Sequence, residues 1–298
     1  MSLLSQIYAT PSRVKGVVQL LAQEGQRVER VTAEALLSPI ALLKTPEEGL
    51  PAERSMVKAV ITECVKLGLV LAEGDLLVLN PELPEPVRRP DSARSALPQA
   101  ILDIIAKPGS ESSDLAEALA WYLGQDVLAA PGTWKEFGDA LLAQGAREVL
   151  KFNDNTFQMF GYWSRYLGLA HTLVAGSPSG ADEPRLAPEP TEAFRRIFEE
   201  ILGRRKTTLQ MRRCLELVSA RCPLFEGGML RNALEPYSPR REPGYLSSTT
   251  SHALLRLEEE GTIAMHMRSD AEAVILVEGS ERRSISEIAW RRNVREVA

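Results

Sequence analysis

Residues 53–79, ERSMVKAVITECVKLG followed by LVLAEGDLLVL, constrain the fold more than any other part of the chain. Met56, Val57, Val60, Cys64 and Leu67 recur at the three- and four-residue spacing of one helical face, and Arg54, Lys58, Thr62 and Lys66 take the opposite face. Gly68 stands where a helix C-cap favours a left-handed residue, and two short apolar strands follow around Glu73, Gly74 and Asp75. Upstream, PSRVKGVVQLLAQEGQ places Val14, Val17, Val18 and Leu21 at helical spacing, and TAEALLSPIALL begins on Thr32 as an N-cap. Three helices and then a hairpin is the order of a winged helix-turn-helix.

The last third repeats that order with different residues. TEAFRRIFEEILG carries Phe194, Ile197, Phe198 and Ile201 on one stripe, TTLQMRRCLELVSARC continues as a second helix, and GGMLRNAL is a short third piece. In SSTTSHALLRLEEEG, residues 247–261, Thr250, Ala253, Leu254 and Leu257 share one arc while Ser248, His252, Arg256 and Glu259 share the other. Gly261 stands where Gly68 stood, and TIAMHMR and EAVILV around Ser269, Asp270 and Ala271 are expected to close a second hairpin. The duplication is one of architecture, since few residues coincide.

Two proline-rich stretches, residues 81–98 and 175–191, read as linkers. They divide the chain into a winged-helix-like domain over 1–82, a helical domain with an aromatic-rich helix over 97–175, and a second winged-helix-like domain over 191–298. The expected fold class is therefore mainly α: tandem winged helix-turn-helix-like domains with small β-hairpins flanking a helical middle domain. In the middle, LPQAILDIIA, SSDLAEALAWYLG, TWKEFGDALLAQGA and NTFQMFGYWSRYLGLAHTLV read as helices, with a capping box of Thr133 and Glu136. In the last of these Phe157, Phe160, Ser164 and Leu167 form a stripe, and Tyr162, Trp163 and Tyr166 lie away from it with Arg165 among them. Aromatics interleaved with a base can stack single-stranded nucleic acid, but a core reached from two sides is the simpler reading in so acidic a segment.

A net charge of −5 at first disfavours nucleic acid. Its distribution weakens that objection: residues 1–90 carry 10 basic and 11 acidic groups, 91–190 carry 7 and 13, and 191–298 carry 18 and 16. The final third is arginine-rich, in GRRKTT, MRRC, SPRRE and ERRS. Apolar runs fall well short of the roughly 18 residues of a membrane span, and MSLLSQIYATPSR lacks the pattern of a signal peptide, so no membrane partner and a cytoplasmic location are expected. Cys64, Cys214 and Cys222 form no metal-ligand or disulfide pattern and read as core thiols. No phosphate loop, nucleotide fingerprint, nucleophile elbow or metal-spaced histidine cluster is present, so no catalysis, cofactor or metal is expected.

The segments SLLSQIYATPSRVKGVVQLLAQEG, LLSPIALL, VKAVITECVKLGLVLAEGDLLVLNPEL and FQMFGYWSRYLGLA resemble the DpdG proteins of bacterial deazaguanine DNA-modification and restriction clusters. The likeness runs through most of the chain and rests on the order of apolar segments and on short pieces such as WSRYLGLA. It implies an accessory component of a DNA-modification-linked antiviral system, encoded beside helicase-like or ATPase and nuclease-like partners. It transfers no functional residue.

The expected function is thus a non-catalytic DNA-binding or adaptor subunit. Helix-turn-helix contact needs small polar and basic groups on the exposed, N-terminal half of the last helix. The candidates for double-stranded DNA are Arg54, Lys58, Thr62 and Lys66 in the first domain, and Ser248, Thr249, His252 and Arg256 in the last, with Arg268 at its hairpin. Glu258, Glu259 and Glu260 oppose this in the last domain, because carboxylates repel phosphate and leave only a tip-first approach. The alternative is a scaffold that docks defence-cluster proteins without touching DNA.

Overall fold

A computed structural model describes residues 2–43, 54–174, 184–203 and 208–291. The chain is about half helical, with small antiparallel sheets, and forms two compact units, residues 1–112 and 113–298. Part of the second expected linker (175–183) and most of the basic run after Gly203 (204–207) lie outside the described residues.

The first unit runs α1 (Pro11–Gln23), β1 (Arg27–Glu29), α2 (Arg30–Leu37), α3 (Ser55–Lys66), β2 (Val70–Glu73), β3 (Leu76–Leu79), α4 (Glu85–Arg88) and α5 (Ala93–Ile105). Val14, Val17, Val18 and Leu21 of α1 are buried as their spacing predicts, and α1 lies against α3, α5 and β3. The sheet order is β1-β3-β2, with Val28 opposite Leu77 and Val70 opposite Leu79. Strand β1 is absent from the sequence reading because three residues are too few to show an alternating period. Helix α2 starts at Arg30, with Glu29 rather than Thr32 as its N-cap, and stops at Leu37; a 3-10 turn covers Ile40–Leu42. Residues 81–98, read as a linker, instead hold α4 and the start of α5, whose Leu97, Ile101 and Ile105 are fully buried.

The second unit begins with α6 (Ser113–Tyr122), α7 (Trp134–Ala143), α8 (Asp154–Tyr166), β4 (Ala170–Val174) and β5 (Pro184–Pro188). It continues with α9 (Thr191–Leu202), β6 (Leu209–Gln210), α10 (Met211–Arg221), α11 (Met229–Leu234), α12 (Ser248–Glu259), β7 (Ile263–His266), β8 (Val274–Glu278), β9 (Glu281–Ile285) and β10 (Glu287–Trp290). The capping box forms at the start of α7, where the Thr133 hydroxyl accepts from the Glu136 amide and the Glu136 carboxylate accepts from the Thr133 amide. The aromatic segment is a core: Phe137 stacks against Trp121, Phe152 and Phe160 with ring centroids 4.9, 4.9 and 5.4 Å apart.

Two sequence expectations are corrected by the structure. The aromatic helix stops at Tyr166 instead of running to Val174, because Gly168 takes a left-handed φ of +72° and the chain leaves as β4. Trp163, away from the apolar stripe, is fully buried, in keeping with a core reached from two sides. The second hairpin does not pair TIAMHMR with EAVILV: β7 pairs with β10, with Ile263 opposite Trp290, while β8 pairs with β9. The strand order β6-β10-β7 then matches β1-β3-β2, and β8–β9 is an inserted ribbon packed along α12.

One joint recurs three times. After α3, α8 and α12 the chain passes through Gly68, Gly168 and Gly261 at φ +69°, +72° and +73°. The next amide, of Leu69, Leu169 and Thr262, donates back to Cys64, Ser164 and Leu257 carbonyls at 2.9, 2.9 and 2.8 Å. The returning strand closes the joint, as Asn80, Glu189 and Arg291 amides donate to Leu69, Leu169 and Thr262 carbonyls at 3.0, 3.0 and 2.8 Å. The middle segment, expected to be wholly helical, therefore carries the same helix-to-hairpin turn as its two neighbours in sequence.

These glycines differ in their surroundings. A Cβ on Gly68 would meet only Asn80 Nδ2 at 4.0 Å, whereas on Gly168 it would sit 2.8 Å from Glu192 Cβ. Gly68→Ala is expected to cost about 1–2 kcal/mol, the price of a left-handed alanine. Gly168→Ala adds an overpacking cost of about 1–3 kcal/mol. Denaturant unfolding of the two variants should show Gly168→Ala as the more damaging, and equal losses would contradict the packing at this joint.

Candidate nucleic-acid interface

On α3 the burial splits the helix as its sequence implies. Val60, Ile61, Glu63 and Cys64 are buried, and Lys58, Thr62 and Lys66 are exposed. Met56, expected on the apolar face, is 40% exposed at the helix start. Arg54 precedes the helix, and its Nε donates to the Ser38 carbonyl at 3.1 Å, which ties the start of α3 to the end of α2. Thr62 Oγ1 donates to the Lys58 carbonyl at 2.8 Å, and Lys66 Nζ is 3.4 Å from the carboxylate of Glu63. The structure thus brings Arg54, Lys58, Thr62 and Lys66 to one helix. Its hairpin tip does not add to them: Glu73 pairs with Arg27 at 3.1 Å and Asp75 stands beside it in sequence, so the tip carries acid.

The second set is divided. Ser247 caps α12 by accepting from the Thr250 amide at 3.2 Å, and Thr249, Thr250 and Ser251 are buried with it. The Ser248 hydroxyl accepts from the Val127 amide at 2.9 Å, and the Thr249 hydroxyl donates to the Gln125 carbonyl at 2.9 Å. Ser251 accepts from the Val277 amide of the inserted ribbon at 3.0 Å. The polar half of α12 thus satisfies backbone groups within its own unit. His252 is half-buried, and Arg256 is exposed but paired with Glu260 at 3.2 Å and Glu189 at 3.7 Å. Arg268 is exposed and paired with Glu287 at 3.1 Å.

The glutamates at the end of α12 also have internal partners. Glu258 accepts from the Met265 amide at 2.9 Å and pairs with Arg283; Glu260 pairs with Arg195 at 2.5 Å. Burial alone would raise both carboxyl pKa values, but the arginine hydrogen bonds outweigh it and hold them below the ordinary glutamate value.

A cleft of about 640 Å³ in the first unit is lined by Glu63, Lys66, Asn80, Asp103 and Lys107 among others. Among the described residues no three His, Cys, Asp or Glu side chains lie together as a metal site. The three cysteines are buried; burial pushes the Cys64 thiol strongly up and that of Cys214 up to about 12, so neither is a ready nucleophile. Among the described residues no helix is long and apolar enough to cross a membrane.

A family model described as DpdG-like matches residues 1–271, which covers both described units up to the inserted ribbon. The chain belongs to the DpdG-like family. Membership associates it with a deazaguanine modification system, in agreement with the resemblance carried by its apolar segments. Comparison with curated proteins and with solved structures returns no match. The matched span includes the three left-handed glycines Gly68, Gly168 and Gly261 and every candidate contact residue on α3 and α12, while Arg291, which closes the third joint, lies beyond it.

Proposed function

We propose that this DpdG-like chain is a non-catalytic winged-helix subunit that holds duplex DNA for a DNA-modification-linked antiviral restriction system. The observation that carries the reading is the open basic side of α3 in a unit of order α-β-α-α-β-β with sheet order β1-β3-β2. That is the order in which winged helices present their last long helix to the major groove. Lys58 and Lys66 take phosphates, Thr62 lies between them, and Arg54 fixes the helix start while keeping its charge near the same surface. On α12 and its hairpin the candidates are already engaged: Arg256 pairs with Glu260 and Glu189, Arg268 with Glu287, and the Ser248 and Thr249 hydroxyls bond backbone groups of their own unit.

The test is a salt titration of the full-length chain on a labelled duplex of about 20 base pairs. Binding should weaken steeply with salt, and Lys58→Ala with Lys66→Ala should lower the log–log slope by about two. Absence of binding at low salt by a folded chain would overturn the reading.

A second reading has one specific observation behind it. Val31, Leu36 and Ile40 are 72, 53 and 74% exposed on α2 and the turn after it, which suits a protein surface better than a phosphate backbone. If the chain is a scaffold for helicase, ATPase or nuclease subunits, those partners should co-purify with it after nuclease treatment, and Val31→Asp with Ile40→Asp should release them.

A further inference from the structure

A helix runs into each of the left-handed glycines Gly68, Gly168 and Gly261, yet the three helices present different chemistry. Helix α12 is closed in over its N-terminal half and α3 offers two lysines. Helix α8 offers a third set: Asn155, Gln158, Tyr162 and Arg165 are all exposed. At about 100° per residue these four positions share an arc of about 80°. The other side of the helix, Met159, Phe160, Trp163 and Ser164, is buried.

The N-terminal half of the stripe is polar without serving the fold. The cap of α8 is made by Asn153 and Thr156, whose side chains and amides bond reciprocally at 2.6 and 3.0 Å, so Asn155 has no capping duty. Among the described residues Asn155 makes no side-chain hydrogen bond, and Gln158 makes one long contact, 3.5 Å to the Tyr162 hydroxyl. Arg165 is held in place: its Nε donates to the Gly161 carbonyl at 2.8 Å, it donates to Thr172 at 2.9 Å, and its guanidinium lies 5.5 Å from the Tyr162 ring centroid. Exposed Arg147 and Lys151 precede the helix, against exposed Glu148 and Asp154. The two bases balance the two acids there, so the stripe itself carries the one positive charge of Arg165, with its two carboxamides on the N-terminal half, where a helix entering the major groove meets base edges.

We infer that α8 is a second DNA-contacting helix and that it reads A·T base pairs in the major groove through Asn155 and Gln158. A carboxamide matches adenine, donating from its NH2 to N7 while its oxygen accepts from the N6 amino group. Arg165 and Lys151 take flanking phosphates. The inference rests on the proposed DNA-binding function and adds base preference to it, on a helix that the sequence reading assigned to the core.

The full-length chain is titrated at one salt concentration with two duplexes of equal length, one of A·T and one of G·C pairs. The A·T duplex should bind about tenfold tighter, within the range of a good bidentate contact. Asn155→Ala with Gln158→Ala should reduce that preference to less than about twofold and leave the G·C affinity unchanged, because only base-edge contacts are lost. Replacing adenine by 7-deazaadenine, which lacks N7, should have the same effect on the wild-type chain. Arg165→Ala should lower the salt slope by about one on both duplexes. Equal affinity for the two duplexes, or a preference that survives the double variant, overturns the inference. If at the same time Lys58→Ala with Lys66→Ala still weakens binding, the DNA-binding reading stands without α8. Failure of the wild-type chain to bind either duplex overturns both.

Discussion

Replacing Trp163 by alanine is expected to lower the stability of the second unit by about 3–5 kcal/mol, the largest loss from a single core position in α8. The indole is fully buried and meets Tyr166 edge-on at 5.9 Å, so truncation leaves a cavity under the helix that carries the proposed stripe. The indole N–H has no hydrogen-bond partner among the described residues. Phenylalanine should therefore be tolerated far better than the size change suggests, since it removes an unpaired buried donor while leaving a smaller void; a net change within about 1 kcal/mol is expected. Chemical denaturation of the two variants checks this, and similar large losses from both would show that the indole nitrogen has a partner.

The second large effect is expected at Glu226. Its carboxylate pairs with Arg241 and accepts from the Ser247 amide, so one side chain joins the N-terminus of α12 to the loop before it. Arg231 lies close by, 1% exposed, donating to the Ala120 carbonyl at 2.8 Å. Burial would lower the Arg241 pKa, but the charges and hydrogen bonds of Glu226 and Glu235 raise it, while for Arg231 burial dominates and lowers it. Glu226→Ala leaves two guanidinium groups short of compensation and the Ser247 amide unpaired, and should cost about 3–5 kcal/mol. Glu235→Ala should cost less, because Glu235 is 39% exposed against 10% for Glu226 and water takes its place. Thermal melts that ranked Glu235 above Glu226 would contradict this arrangement.

Much of the fold was legible because it is written in strong local signals. Gly68 and Gly261 end their helices as read, the Thr133–Glu136 box forms, and the apolar spacing of α1, α3, α9 and α12 identifies buried faces. What escaped was set by partners distant in the chain. Strands β1 and β6, three and two residues long, exist only because β3 and β10 pair with them. EAVILV has the composition of a partner for β7, but the chain continues to β10, which takes that edge and leaves β8 to β9. In the middle segment apolar spacing continues through the end of α8 into β4, so periodicity hid the break; Leu167, Gly168 and Leu169 repeat Leu67, Gly68 and Leu69, a local signal that could have shown it.

The candidate site shows a different limit. Lys58 and Lys66 are long and charged, and such side chains keep their ends in water, so exposure could be read from their type. Ser and Thr are as suited to a buried hydrogen bond as to a phosphate, and in α12 they make the former. Thus SSTTS, a plausible reader by composition, is a set of internal struts, and the triple glutamate that counted against DNA is largely neutralised by Arg195, Arg256 and Arg283. Asn155 and Gln158 give no sequence signal of their own, because the aromatics dominate the pattern of their helix.

The most direct test of the proposed contact is lysine acetylation footprinting of the full-length chain with and without duplex DNA. Lys58 and Lys66 should lose most of their reactivity when DNA is added, Lys151 should follow if α8 is engaged, and Lys15 and Lys135 should be unchanged. Unaltered reactivity at Lys58 and Lys66, under conditions where the chain is saturated with DNA, would contradict the assignment of α3 as its DNA-contacting helix.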